Sequence, residues 1–115
     1  MKHTILIIED ETSIRNDLAE ILLFEGYEVL TAENGAQGIE TAIEQLPDLI
    51  LSDVMMPETD GYEVLSTLRE NPSTRLIPVI LVTAMADKED MRTGMNLGAD
   101  DYLIKPFTRQ ELLNS

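Results

Sequence analysis

The chain has no cysteine and no tryptophan, and only three tyrosines and two phenylalanines among its 115 residues. Without thiols it cannot build a disulfide scaffold or a thiolate-ligated metal centre. It also lacks the run of about 18 apolar residues that a membrane-crossing helix needs. Its N-terminal segment reaches Glu9 after one short apolar stretch, too short for the apolar region of a signal peptide. A cytoplasmic location is the resulting expectation. Positive charge is scarce, with 8 Lys and Arg against 22 Asp and Glu, a formal net charge of −14. Direct binding of nucleic acid or of an anionic membrane by this domain is therefore not expected. What the chain has in quantity is acid, and acids crowded at one site require a compensating cation.

The length and the 43% hydrophobic content fit a single domain over residues 1–115 with one substantial core. Strand and helix signals alternate five times, with no repeat and no low-complexity linker. Strand one is expected at Thr4 to Ile8. The first helix carries Ile14, Leu18, Ile21 and Leu22 on one face of a 3.6-residue period, and Gly26 closes it. Strand two follows from Tyr27 to Thr31. Asn34 with Gln37 resembles a capping box, opening a helix expected to bury Ile39, Ala42 and Ile43. Beyond Pro47 comes strand three, and Asp60 with Glu63 opens a helix burying Tyr62, Leu65 and Leu68. Strand four is Val79 to Thr83. The fourth helix starts near Asp87 and has a thin apolar side, Met91, Met95 and Leu97, interrupted by Gly94. Strand five runs about Asp101 to Ile104. Thr108 and Glu111 cap a fifth helix, with Phe107 and Leu112 placed as a hydrophobic staple. Such alternation predicts an α/β fold, a parallel sheet covered on both faces by helices. The fifth helix looks short beside the others, so the natural chain is expected to continue past Ser115, into the rest of this helix and an output domain.

The chemistry gathers where strands end. The apolar run Leu49-Ile50-Leu51 delivers Asp53 just before the turn residues Pro57 and Gly61. A strand apolar on both faces belongs in the middle of a parallel sheet, and ligands of such sheets bind beyond the strands' carboxyl ends. Strand one ends in Glu9 and Asp10, strand four in Thr83, and strand five runs into Lys105. Each alone has an ordinary explanation: a solvated turn, turn chemistry, β-propensity, a surface lysine. Converging on one edge, they describe a site.

These residues resemble the receiver domain of two-component response regulators. The resemblance runs from Thr4 to Leu113. It is carried by Glu9-Asp10-Glu11, by Asp53 through Pro57 with Gly61, by Thr83-Ala84, and by Gly98 through Lys105-Pro106-Phe107. It implies a doubly wound, five-stranded parallel sheet of flavodoxin-like order 2-1-3-4-5 with five helices, the last truncated here. Strands one and three are then neighbours, and Glu9, Asp10 and Asp53 meet. Magnesium suits such a cluster, because it takes one or two carboxylates together with waters and phosphoryl oxygens. The resemblance implies that Asp10 and Asp53 ligate Mg2+ directly, Glu9 through water, and Met55 through its backbone carbonyl. It implies further that Asp53 accepts a phosphoryl group from a sensor histidine kinase or a phosphotransfer protein. On the same resemblance, Lys105 and Thr83 would contact that group, and Thr83 and Tyr102 would switch the face formed by helix four, strand five and helix five. The chain would then be a phosphoacceptor switch that catalyses its own phosphorylation and slow dephosphorylation, not a turnover enzyme.

Two departures are specific to this sequence. Met55 and Met85 stand two residues after Asp53 and Thr83, where a polar side chain would orient a hydrolytic water and a thioether does not. A long phosphoryl lifetime is expected. In receivers of winged-helix transcription factors, an arginine of helix four often pairs with acids of a second copy. The matching position here is Met91, beside Arg92, although Asp100, Asp101 and Arg109 are present. The sequence thus weakens the case for a phosphorylation-dependent homodimer of that kind without excluding it. Other readings remain open. An aspartyl-phosphate hydrolase wants a second acid at position 55, which is Met. A flavin carrier wants a glycine- and hydroxyl-rich first loop, which is Glu9-Asp10-Glu11. An interaction module that is never phosphorylated would keep the fold without the chemistry.

Overall fold

The structure is a computed structural model, and it describes residues 3–54, 56, 58–83, 96, 98–104 and 109–114. Five strands form one parallel sheet in the order β2-β1-β3-β4-β5: β1 Thr4–Ile8, β2 Glu28–Ala32, β3 Leu49–Asp53, β4 Val79–Thr83 and β5 Asp101–Ile104. The helices described are α1 Thr12–Phe24, α2 Gly35–Gln45, α3 Gly61–Glu70 and a C-terminal helix, Arg109–Asn114. The doubly wound architecture and strand order expected from the sequence are present. The fourth helix expected near Asp87 lies outside the described residues, as do Met91, Arg92, Gly94 and Met95.

Burial follows strand position. The inner strands β1, β3 and β4 are buried almost throughout, whereas the edge strands β2 and β5 keep exposed positions. Alternate residues feed two cores. Leu6, Ile8, Ile50 and Leu81 pack with Ala42, Val64, Leu65 and Leu68 beneath α2 and α3. Ile5, Ile7, Leu51, Ile80 and Val82 pack with Leu18, Leu22 and Leu112 beneath α1 and the C-terminal helix. A cavity of about 50 Å³ lined by apolar residues including Ile5, Leu51, Leu112 and Leu113 lies beside that last helix.

Local chemistry sets the helix ends. Gln37 N–H donates to Asn34 Oδ1 at 2.8 Å, as a capping box requires. The reciprocal bond is shifted by one residue, because Gln37 Oε1 accepts from the Glu33 N–H at 2.7 Å. Asp60 caps α3 by accepting from Glu63 N–H at 2.9 Å. Gly26, at φ 95°, takes the left-handed conformation that ends α1. The sequence reading errs at Ile43, which is 40% exposed. The inward side of α2 is instead built by Gly35, Gly38 and Ala42, because the helix approaches the sheet so closely that a Cβ at Gly38 would stand 2.6 Å from Ile8 Cγ1. Strand two is displaced by one residue, to Glu28–Ala32. Phe107, Thr108 and the Glu111 side chain lie outside the described residues, so the last capping box and staple are not described.

The far ends of β4 and β5 are held by Arg69, in the last turn of α3. Its guanidinium donates to the Gly98 carbonyl at 2.8 and 3.1 Å, to the Ile77 carbonyl at 2.8 Å and to the Arg75 carbonyl at 3.1 Å. It also pairs with Asp100 at 3.0 Å. The same Asp100 oxygen accepts from the Val79 N–H at 2.8 Å, while the Asp100 N–H returns a bond to the Val79 carbonyl at 2.9 Å. One side chain thus fastens α3, the loop after it, the start of β4 and the turn into β5.

Candidate functional site

The site follows from the sheet register. Ile8 of β1 pairs with Ser52 of β3, so Glu9 and Asp53 are the next residue on each of two adjacent parallel strands. Asp53 in turn pairs with Val82, which puts Thr83 one residue further along β4, and Thr83 pairs with Ile104. Polar residues that follow apolar strands of matched length therefore arrive together at the carboxyl edge. Lys105 is the next residue in the chain after Ile104 and lies outside the described residues, as do Met55 and Met85.

Glu9, Asp10 and Asp53 each offer a carboxylate oxygen, and these oxygens lie within 4.8 Å of one another. Glu9 is 1% exposed and Asp53 6%, whereas Asp10 reaches toward solvent. Oxygens bound to one Mg2+ or Ca2+ stand at most about 4–5 Å apart, twice a typical metal–oxygen bond, so this spacing fits a shared cation. All three donors are hard oxygens, which suits Mg2+ or Ca2+ better than a soft metal. Burial of two of the acids sharpens the requirement, because charge removed from water must be paired.

The surroundings keep these acids in place. The Glu11 N–H stands 3.5 Å from Glu9 Oε2, and the Glu9 N–H donates to the Ala32 carbonyl at 3.1 Å. The Arg15 guanidinium donates to the Glu9 carbonyl at 2.9 Å, bringing a cation from α1 to the rim of the acidic cluster. The Ser52 hydroxyl donates to the Asp53 carbonyl at 3.1 Å, and the Val54 N–H donates to the Val82 carbonyl at 3.0 Å. Among the described residues, no buried side-chain nitrogen or oxygen lacks a hydrogen-bond partner. Thr83, 3% exposed, sits at the end of β4 beside this cluster.

Tyr102, the expected switch aromatic, is half-buried in β5, and its hydroxyl lies 3.3 Å from that of Tyr62 in α3. The sequence reading placed Tyr62 only as a core residue. It also missed Arg15 and Arg69. Their spacing offers a partial signal, since Arg15 lies one turn after the acidic loop and Arg69 is a basic residue in a helix's last turn.

An acidic, cation-fitting cluster at the carboxyl edge of a 2-1-3-4-5 parallel sheet defines the class: a doubly wound α/β domain with its site at the strand ends. Residues 5–115 match the response regulator receiver domain family, and the chain belongs to it, as the receiver of a two-component system. It is 43% identical over 110 residues to the phosphate regulon transcriptional regulatory protein PhoB of Pseudomonas aeruginosa, covering 96% of this chain and 48% of that protein. It is 41% identical over 111 residues to the probable transcriptional regulator ycf27 of Guillardia theta, covering 96% and 42%. The chain thus spans less than half the length of these curated relatives. The chemotaxis protein CheY4 of Vibrio cholerae superimposes with a TM-score of 0.95 at 32% identity, over 99% of this chain and 95% of that one. The receiver domain of the sensor histidine kinase PA1611 of Pseudomonas aeruginosa superimposes with a TM-score of 0.91 at 33% identity, over 99% and 93%. That structure holds a magnesium ion coordinated in its active-site cleft.

Proposed function

We propose that this domain is a phosphorylation-controlled switch in which Asp53 accepts a phosphoryl group from a histidine of a partner kinase or phosphotransfer protein. The observation that carries the reading is the meeting of Glu9, Asp10 and Asp53 within 4.8 Å at the strand ends. In the step, a carboxylate oxygen of Asp53 forms a bond to phosphorus as the phosphorus–nitrogen bond to the partner's imidazole breaks. The imidazole keeps the electron pair and takes a proton from solvent. Asp10 and Asp53, with Glu9 acting through water and the Met55 carbonyl, would hold Mg2+. When bound, that ion offsets negative charge on the acids and on the phosphoryl oxygens. The protein's own share is positioning. Strand β3 fixes the Asp53 carboxylate, Thr83 would present a hydroxyl donor to a phosphoryl oxygen, and Lys105, the next residue after β5, would supply a compensating ammonium. Catalysis of phosphoryl transfer consists largely of such placement and charge stabilisation.

The output follows as a shift between two pre-existing arrangements of the face that includes Tyr102 and β5. The greater length of the related transcriptional regulators supports an output domain beyond Ser115. The test is labelling with a small phosphodonor such as acetyl phosphate in the presence of Mg2+. Incorporation is expected at Asp53, and chelation of the metal or Asp53→Asn removes it. Equal labelling at the same rate in Asp53→Asn overturns the reading.

A further inference from the structure

We propose that Tyr62 is a positioning residue, which ties the conformation of Tyr102 to the backbone of Asp53 and Val54. Two observations carry this. The Tyr102 hydroxyl, on strand β5, donates to the Tyr62 hydroxyl, on the first turn of α3, at 3.3 Å in a part-buried setting. Both rings pack against the core beneath α2 and α3. Tyr62 also immediately follows Gly61, which lies on the backbone of the phosphoacceptor strand's end. The Gly61 N–H donates to the Val54 carbonyl at 3.0 Å, and a Cβ on Gly61 would stand 2.8 Å from Val54 Cα.

The first turn of α3 is therefore in van der Waals contact with the residues bearing the reacting acid, and Asp60 caps it at 2.9 Å. Packed backbone at such a distance does not slide independently. A displacement of the 53–54 backbone is passed to Gly61, then to Tyr62, and from its hydroxyl to the Tyr102 ring. This is a second route from Asp53 to Tyr102, separate from any through Thr83. Thermodynamic reciprocity fixes its consequence. If occupation of the Asp53 site changes the Tyr102 conformation through Tyr62, removing the Tyr62 hydroxyl must change affinity at the Asp53 site.

The chain has three tyrosines, so labelling with 3-fluorotyrosine gives a simple fluorine spectrum that can be assigned by substitution. Tyr27 packs in the core on the opposite face of the sheet, which makes Tyr27→Phe the control. The probe for the Asp53 site is beryllofluoride with Mg2+, whose use here rests on the phosphoacceptor reading. Tyr62→Phe is expected to move the Tyr102 resonance without any ligand. It is also expected to change the beryllofluoride dissociation constant by about 2- to 12-fold, the range for loss of one neutral hydrogen bond. Tyr27→Phe should change neither. If the wild type binds beryllofluoride and Tyr62→Phe leaves both the Tyr102 resonance and the affinity unaltered, the inference is overturned. If the wild type does not bind beryllofluoride at all, the phosphoacceptor reading falls instead. The fluorine resonance alone then decides whether Tyr62 holds Tyr102.

Discussion

Gly61 rests directly on Asp53. A Cβ at position 61 would collide with the Asp53 carbonyl oxygen and stand 3.1 Å from its carbonyl carbon. No flexible side chain is there to move aside, since the obstructing atoms are backbone. Gly61→Ala is expected to destabilise the fold by ~1–3 kcal/mol, the usual range for overpacking. It is also expected to slow phosphodonor labelling at Asp53 by displacing the acid. Urea unfolding and labelling rates, measured on the same variant, check the two effects separately.

Arg69 serves three carbonyls and one carboxylate. Arg69→Ala strips the partner from part-buried carbonyls of Ile77 and Gly98, and each such loss costs ~1–3 kcal/mol. Arg69→Lys should recover only part of this, because an ammonium cannot reproduce a planar fork. Denaturant midpoints in the order wild type, Lys, Ala are expected. Equal midpoints for Lys and wild type would show that charge alone matters at this position.

Magnesium should reverse the ranking of two proteins. Without divalent ions, Asp10→Asn relieves repulsion within the Glu9, Asp10 and Asp53 cluster, so its melting temperature should equal or exceed that of the wild type. At a Mg2+ concentration a hundredfold above the dissociation constant, the wild type gains ~2.7 kcal/mol by mass action. The variant, with one of the three clustered carboxylates removed, is expected to gain much less. Thermal melts in chelator and in Mg2+ decide this, and parallel gains in both proteins would argue against a cation shared by these acids.

Signal lifetime is predicted from Met55 and Met85. Replacing them together, Met55→Asn with Met85→Glu, should shorten the half-life of the phosphorylated protein, on the expectation that polar groups two residues after Asp53 and Thr83 orient a hydrolytic water. The half-life of labelled protein after removal of phosphodonor measures it. An equal or longer half-life in the double variant contradicts the expectation.

The sequence revealed most where periodicity and polar punctuation coincide. Thr4–Ile8 and Val79–Thr83 could be bounded to the residue, because an unbroken apolar run meets a polar residue or proline at each end. The acidic cluster was legible for the same reason: Glu9 and Asp53 come level at the ends of adjacent strands, with Thr83 one residue further along β4. Ile43 was misjudged because periodicity gives an apolar stripe but not the depth of approach, which Gly38 sets by lacking a Cβ against Ile8. Arg69 and Tyr62 were missed for a different reason. Their partners lie about 30 to 40 residues away, Asp100 for one and Tyr102 for the other, and no local pattern encodes so distant a pairing.

The brace around Arg69 grips β4 and β5 at Val79 and Asp100, at the opposite end from Thr83 and Ile104. The two strands are thus fastened to α3 at the end remote from the acidic cluster, so what holds them together is separate from what carries the chemistry. The Asp100 carboxylate is already engaged inside this chain, by the Arg69 guanidinium and by the Val79 N–H. Any contact that recruited it from outside would draw on the domain's own stability.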